Sequence, residues 1–551
     1  MENSTHVLLP GSNRMVMPGS KVISKANPNE IIELTIKLRQ KQSVPEPGAK
    51  PGIYLSRQEF ADKYGASADD MEKTKKVLAG YGLETMSENS ASHSIRVSGS
   101  IEDVENAFQV KLFHYQNAER GDYRGRTGSI HIPKELDKII EGVFGLDNRP
   151  VVKKRRHHNT ENLSLTLAST PKKHRSWFYP AELAEIYDCP EGDGSGQTIG
   201  ILEFGGGYFP DDLALFCKTA QVGVPTVIPI SVEDAPTNTM DDAAGEVMLD
   251  IEVVAGVCPK STIVVYFSKF SEQGWVDCID AAIHDTKNNP NVISISWGYA
   301  EDAPGVWSLT AINAVNTSLK AAASLGITVC VASGDDGSDD GVGDGHAHVD
   351  FPASSPYVLG VGGTAVAVKN GKVTETVWKQ GSGVRQPQDG SGAGGGGISV
   401  YFARPSWQKV NIPSVNPGAI VGRCVPDVAA DASGATGYLM VLNGKTFPNG
   451  GTSAAAPLWA GIIARVNASL DNGKRVGYLT PMLYQQFQEA GALGTSVCTD
   501  ITVGNNISSV GGGYTAGQGY DAVTGWGSPK GKALLNALKT IFTQNNTLVN
   551  A

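Results

Sequence analysis

Long apolar runs are missing from this sequence: nothing in its 551 residues approaches the roughly 20 consecutive apolar positions of a membrane-spanning helix, which excludes an integral helical membrane protein. Charge is sparse and leans acidic, at 19% charged residues and a formal net charge of −10, which argues against a nucleic-acid footprint. No cysteine pair has metal-ligand spacing. The seven cysteines (Cys189, Cys217, Cys258, Cys278, Cys330, Cys424 and Cys498) are odd in number and all follow residue 188. They are expected as small core residues, with one or two disulfides left open. Met1 to Lys21 lacks the apolar core of a secretory signal, so the sequence gives export no support. No internal repeat occurs. The glycine-rich Gly390 to Gly397 lacks the lysine and following helix of a phosphate loop and reads as a mobile surface or substrate loop. Histidine is scarce where a serine nucleophile would need it: past residue 175 stand His284, His346 and His348 alone, and none lies in a His-Gly-Thr-His type segment.

With 40% hydrophobic residues the chain can bury large cores, and its length suggests two or more folding units. Ile31 to Leu38 alternates in strand fashion, Arg57 to Tyr81 carries helical spacing, and His93 to Gly99 alternates again. Ile101 to Phe108 then reads as a helix and Lys111 to Tyr115 as a strand. These make a compact α+β domain within residues 1–150, its ordered part about 30–148. Residues 151–175 are basic, opening with Val151-Val152-Lys153-Lys154-Arg155-Arg156-His157-His158 and closing with Lys172-Lys173-His174-Arg175. In an acidic protein such a stretch suits a solvated linker open to proteolysis better than a nucleic-acid or membrane contact. From Ser176 to residue 551 strands alternate with helices, which favours a parallel α/β sheet. The strands expected are Thr198 to Phe204, Ser261 to Phe267, Asn291 to Trp297, Ile327 to Ser333 and Tyr357 to Val361. Glu246 to Gly256 and Trp307 to Leu325 are helical patterns between them.

Three segments carry chemistry. Gly450-Gly451-Thr452-Ser453-Ala454-Ala455-Ala456-Pro457 puts Ser453 at the entrance of an apolar helix, where free backbone amides can hold an oxyanion. Alone, Gly-Thr-Ser is an ordinary helix cap. Gly245-Glu246-Val247-Met248-Leu249-Asp250-Ile251-Glu252 spaces Glu246 and Asp250 one helical turn apart on one face, with apolar residues covering the other. Alone, such acidic pairs face water. Val331-Ala332-Ser333-Gly334-Asp335-Asp336-Gly337 runs an apolar strand into a glycine turn that exposes Asp335 at the sheet's carboxyl end, where catalytic groups gather in parallel sheets. Alone, it is an Asp-Gly turn.

Taken together and in this order, Glu246, Asp250, Asp335 and Ser453 resemble the catalytic set of the sedolisins, the serine-carboxyl peptidases, most closely those of kumamolisin type. The likeness spans nearly the whole chain: Ile201 to Tyr208, Gly245 to Glu252, Ser294-Ile295-Ser296-Trp297-Gly298, Gly334-Asp335, Val349-Asp350-Phe351-Pro352, Val425-Pro426-Asp427-Val428 and Gly451 to Pro457. It implies a subtilisin-like parallel sheet flanked by helices over residues 176–551, preceded by an α+β ferredoxin-like prodomain that inhibits in cis and is cut off by self-processing in the basic linker. Ser453 would attack the scissile carbonyl, Glu246 would serve as general base and then acid, Asp250 would tune it, and a protonated Asp335 would complete the oxyanion hole, so activity requires acid. Glu203 and Trp297 match auxiliary members of this carboxyl network, and Asp350 matches a substrate-pocket residue suited to a basic side chain. Asp336 stands where serine is more usual.

The resemblance extends to a calcium loop: carboxylates of Asp500 and Asp521 with carbonyls of Ile501, Gly517 and Gly519, and one water, give the six oxygens a hard cation takes. It further implies a monomeric, extracellular endopeptidase acting on proteins or peptides, with no nucleic-acid or membrane partner. Two rivals remain open. One is a metal-dependent hydrolase built on His346, His348 and Asp350 with nearby Asp339, Asp340 and Asp344. The other is an inactive binding protein on the same fold.

Overall fold

The computed structural model describes residues 5–48, 52–151, 174–175, 177–385, 391–487 and 491–549. The basic stretch assigned to processing therefore falls, from 152 to 173, outside the described residues, as does Gly390.

The amino-terminal unit is built on four strands, β1 (Ile31–Leu38), β2 (Glu84–Asn89), β3 (Ser94–Ser100) and β4 (Ile140–Phe144), with helices α1 (Arg57–Tyr64), α2 (Ala68–Ala79) and α3 (Ile101–Phe108). The sheet runs β2, β3, β1, β4 with every pair antiparallel, which is the βαββαβ order of a ferredoxin-like domain. Alternation in β1 turns Leu34, Ile36 and Leu38 into a core shared with Val97, Val104 and Phe108. The single helix expected over Arg57 to Tyr81 is two. The Ser67 hydroxyl accepts the Asp70 amide at 3.0 Å and starts a second helix, and a side chain at Gly65 would press on the Ala61 carbonyl. The expected strand from Lys111 runs Phe113–Asn117 and joins a separate three-stranded sheet.

The larger unit carries β5 (Thr198–Phe204), β6 (Thr226–Ser231), α4 (Ala244–Val257), β7 (Thr262–Ser268), α5 (Glu272–Ile283), β8 (Val292–Ile295), α6 (Leu309–Ser324), β9 (Thr328–Ala332), β10 (Leu359–Lys369), β11 (Val428–Asp431) and α7 (Thr452–Ala468). Its parallel strands lie in the order β6, β7, β5, β8, β9, β10, β11, with antiparallel additions on the distal half of β10. β10 extends eight residues past the expected Val361, because Gly362-Gly363 interrupts the apolar run without ending the pairing. Helices α4 and α7 pack together on one face of the sheet, α5 and α6 on the other. The α4 helix is buried on every side, including Glu246 and Asp250, rather than presenting an acidic face to water. All seven cysteines are buried free thiols, and burial lifts those of Cys189, Cys217, Cys424 and Cys498 to about 11 or 12.

The amino-terminal unit sits on α5 and α6. Val44, Phe60, Phe144 and Val151 join one apolar cluster with Trp275, Ile279, Ile312 and Val315. Around that seam lie two buried ion pairs, Lys37 with Asp280 at 2.6 Å and Arg14 with Glu272 at 2.8 Å. His284 lies at this seam, its ring tilted against that of Phe60.

Candidate active site

Parallel strands leave their carboxyl ends facing one edge, and the chain delivers its acid groups there. Glu203 is the penultimate residue of β5, Ser296 and Trp297 follow β8 directly, and Asp335 stands three residues past β9. The Trp297 indole donates to Glu203 Oε2 at 2.8 Å. Burial drives the Glu203 carboxyl well above its ordinary range; the Trp297 hydrogen bond opposes this, and the charge of Glu246 adds to it. Glu203 and Glu246 are thus close enough to sense each other across the edge of the sheet. Trp297, Glu203, Glu246 and Asp250 are all essentially inaccessible.

Ser453 enters the same edge from α7. Gly451 holds φ +104, a conformation that L side chains rarely adopt, and a Cβ there would meet Asp335 Oδ2 at 2.7 Å. Thr452 then donates twice to Asp335 Oδ1, through its amide and its hydroxyl, each at 2.8 Å. Ser453 Oγ donates to the Ser296 carbonyl at 3.3 Å, while Ser296 Oγ donates to the Ser453 carbonyl at 3.0 Å. The nucleophile candidate is therefore tied to the residue preceding Trp297, and its neighbour to the oxyanion candidate. Asp335 is buried rather than exposed by its turn.

The glycine-rich stretch is not a surface loop where it is described. Residues 391–397 are buried and run along the exit of β9: Ala393 donates to the Asp335 carbonyl at 3.0 Å and Gly395 to that of Gly334 at 2.8 Å. Asp350 is buried beside Gly298 and Gly334, the exits of β8 and β9, and a Cβ on Gly298 would collide with its carboxylate. That places the expected pocket residue against Gly334, the residue before Asp335.

The histidine alternative does not assemble. His348 is gripped by Asp302 at 2.7 Å on Nδ1 and by Asp344 at 2.9 Å on Nε2. Burial alone would depress it, but the two carboxylates outweigh that and raise it to about 9. A doubly protonated ring has no lone pair for a metal. Asp427 of the Val-Pro-Asp-Val segment is structural: it forms a fully buried ion pair with Arg423 at 2.7 Å and accepts from Tyr484. Glu252, two residues past Asp250, accepts the Val441 amide at 2.8 Å, and burial pushes it well above the usual carboxyl range.

At the carboxyl-terminal loop Gly519 donates to Asp500 at 2.8 Å and Gly517 to Asp521 at 3.0 Å, so both carboxylates close one turn. The space beside Gly517 and Gly519 is open, and burial raises the Asp521 carboxyl, a negative group that an added cation would stabilise. Two carboxylates and neighbouring carbonyls are the donor types a hard divalent ion takes; among the described residues no cluster of three or more His, Cys, Asp or Glu able to hold a metal occurs, in this loop or elsewhere.

Sequence reading missed Thr452 as a support, Ser296 as a partner and Arg385. The last pairs with Asp335 Oδ2 at 2.5 Å from a loop with no motif to flag it.

Residues 18–149 match the pro-kumamolisin activation domain and residues 237–527 match the subtilase family. Kumamolisin of Bacillus sp. (strain MN-32) is 40% identical over 98% of this chain and 97% of its own. Sedolisin of Pseudomonas sp. (strain 101) is 31% identical over 90% of this chain and 85% of its own. A solved structure of Pseudomonas sedolisin, described as a serine-carboxyl proteinase, superposes with a TM-score of 0.57 at 30% identity, covering 66% of this chain and 99% of that one. A chain with this fold, this converging carboxyl edge and this degree of likeness end to end belongs to the sedolisin family of serine-carboxyl peptidases, with a pro-kumamolisin activation domain ahead of its catalytic unit.

Proposed function

We propose that the mature unit cleaves proteins internally at acid pH through an acyl-enzyme on Ser453. Glu246 takes the hydroxyl proton as Ser453 attacks the scissile carbonyl and returns it to the leaving amine; water then enters by the same route in reverse. Asp250, one turn along α4, keeps a second acidic group beside Glu246, and Glu203 with Trp297 extends the chain of carboxyls. Burial and like charge favour the protonated forms of such a cluster, which brings a glutamate closer to the basicity that serine activation needs. The tetrahedral oxyanion takes hydrogen bonds from the Ser453 amide and from Asp335, which can donate only when neutral, and this makes acid a requirement. Asp350, buried against Gly334, would receive a basic substrate side chain.

The observation that carries this reading is the pair of ties that bring Ser453 to Ser296 and Thr452 to Asp335 at the one edge where Glu203 senses Glu246. Processed enzyme should hydrolyse a denatured protein between about pH 3 and 5, and Ser453→Ala should lose at least about a thousandfold in kcat. Hydrolysis that survives Ser453→Ala would sink the mechanism.

Residues 1–150 act as the inhibitory prodomain, and the cut that frees 176–551 falls within 151–175. Asp500, Ile501, Gly517, Gly519 and Asp521 would hold one calcium ion, which supplies charge neutralisation and loop rigidity and no catalytic step. The mature form is proposed as an extracellular monomer.

A further inference from the structure

The cation at the oxyanion candidate has no place in the scheme above. Arg385 Nη2 lies 2.5 Å from Asp335 Oδ2, while Asp335 Oδ1 accepts from the amide and hydroxyl of Thr452. In this arrangement Oδ1 accepts from Thr452 and Oδ2 lies at ion-pair distance from the guanidinium. A guanidinium offers only donors, so the contact fits the ionised carboxylate and not a neutral carboxyl that must itself donate. The two partners differ in freedom: the Arg385 side chain is 22% exposed and that of Asp335 1%.

Asp336 fixes Arg385 in place. Its Oδ1 accepts the Arg385 backbone amide at 2.6 Å, and its carbonyl accepts the Ser508 hydroxyl at 2.6 Å. The residue that departs from the more usual serine thus anchors the main chain from which the guanidinium reaches Asp335. Among the described residues the other charged groups at this turn are acids: Asp336 itself, Asp340, whose Oδ1 lies 2.7 Å from a Cβ built on Gly334, and Asp350, whose Oδ2 lies 3.5 Å from it. Lys379, on the same segment as Arg385, turns away to Asn505 at 2.9 Å and the Ile507 carbonyl at 2.5 Å.

We infer that Arg385 is a positioning residue for the oxyanion hole: it pairs with Asp335 as a carboxylate acceptor, opposes its conversion to the neutral donor, and so sets the upper pH limit of activity. The inference rests on the proposed role of Asp335. An opposite charge within about 4–6 Å lowers a carboxyl by about 1–3 units, and the three neighbouring acids offset part of that. Losing Arg385 therefore lets Asp335 remain protonated, and the hole remain competent, at higher pH.

The test is the pH dependence of kcat/KM for processed wild-type enzyme, Arg385→Gln, Arg385→Lys, Asp335→Asn and the Arg385→Gln/Asp335→Asn pair, on one peptide substrate. Arg385→Gln should move the alkaline limb upward by about one unit, giving up to about tenfold more activity well above the wild-type midpoint. Arg385→Lys, which keeps the charge, should stay near wild type. In Asp335→Asn, whose amide donates at any pH, the limb owed to Asp335 disappears and adding Arg385→Gln should shift nothing further. An unmoved limb in Arg385→Gln, or an equal shift in the Asn background, overturns the inference while leaving Asp335 its role. If Asp335→Asn itself keeps the wild-type rate and limb, the role of Asp335 falls and the inference with it. Should Arg385→Gln fail to process, Arg385→Met is read in the same way, and failure of every uncharged variant while Arg385→Lys matures would assign Arg385 to folding instead.

Discussion

Lys37→Met should release the prodomain at higher pH, and the structure gives the size of the effect. Lys37 Nζ donates to Asp280 at 2.6 Å and to the Ser92 carbonyl at 2.5 Å, at the bottom of the seam between the two units. Methionine keeps most of the stem and removes the charge. Asp280 is left buried with the Ser318 hydroxyl, at 2.6 Å, as its neutral partner. Removing one member of a buried pair costs about 3–5 kcal/mol, which at about 1.4 kcal/mol per tenfold weakens docking by about two to three and a half orders of magnitude. The pH enters through the same cluster. Burial depresses His93 to about 3 and His284 to about 4 from an ordinary 6.5, so the stability their neutral rings contribute at this seam is fully present above pH 6.5 and is lost as pH falls toward those values. Burial would raise Asp280, but Lys37 and the two histidines hold it below its usual range, so its share is lost only at still lower pH. Asp277 pulls the other way: burial and Glu233 raise it, so the stability tied to its protonated form grows in acid, while the Thr35 hydroxyl of the amino-terminal unit opposes the shift. The assay steps full-length protein from pH 7 to a series of lower values and follows the half-time for peptidase activity to appear. Lys37→Met should activate at least about one pH unit higher than wild type, and Lys37→Met/Asp280→Leu should recover most of the difference, because an apolar pair of similar volume avoids the orphaned charge. Coincident activation profiles for wild type and Lys37→Met would refute the reasoning, as would a double variant no better than the single one.

Chelation of calcium with EGTA at neutral pH should lower the melting temperature of processed enzyme by several degrees, since an ion present at a hundred times its Kd contributes about 2.7 kcal/mol; Asp521→Asn should abolish the response, and a wild-type transition indifferent to EGTA would remove the ion. Glu203→Gln mimics a carboxyl already neutral and still accepts from Trp297, so its kcat at acid pH should stay within about threefold of wild type, whereas Glu203→Ala orphans the buried indole and should cost about 10- to 100-fold. Equal damage from both would mean that the charge is needed. With every cysteine buried and reduced, the folded protein should resist a thiol reagent at pH 8 and expose all seven groups in guanidinium. Rapid modification of the native form would contradict this.

What could be read from the sequence followed from local periodicity. Ile31–Leu38, Ile101–Phe108 and Thr198–Phe204 lie where alternation and helical spacing put them. The break at Gly65 was written in Gly65-Ala66-Ser67 with Asp70 three residues on, an N-cap signal overridden by an apolar pattern that continues across it. Depth was harder to read. Glu246 and Asp250 share a face, as their spacing says, but nothing local tells an acidic pair on a wet helix from one on a helix packed from all sides, since the elements that cover α4 come from distant parts of the chain. The same holds for residues 391–397, which composition makes a loop and the exit of β9 makes a buried strap. Arg385 shows the limit: a lone arginine in a polar segment has meaning only once β9 and α7 bring Asp335 to it.

The buried carboxyls also alter what the molecule is as an electrolyte. Glu203, Glu252, Asp277 and Asp431 are pushed well above their usual range, and Glu301 to about 7, in each case with burial as the largest cause. The formal charge of −10 counts all of them as ionised. Folding near neutrality therefore takes protons from the solvent, and the heat of folding should vary with the ionisation enthalpy of the buffer. In isoelectric focusing the native band should settle at a higher pH than the same chain in urea. The protein would then enter an acid medium with part of its protonation already done.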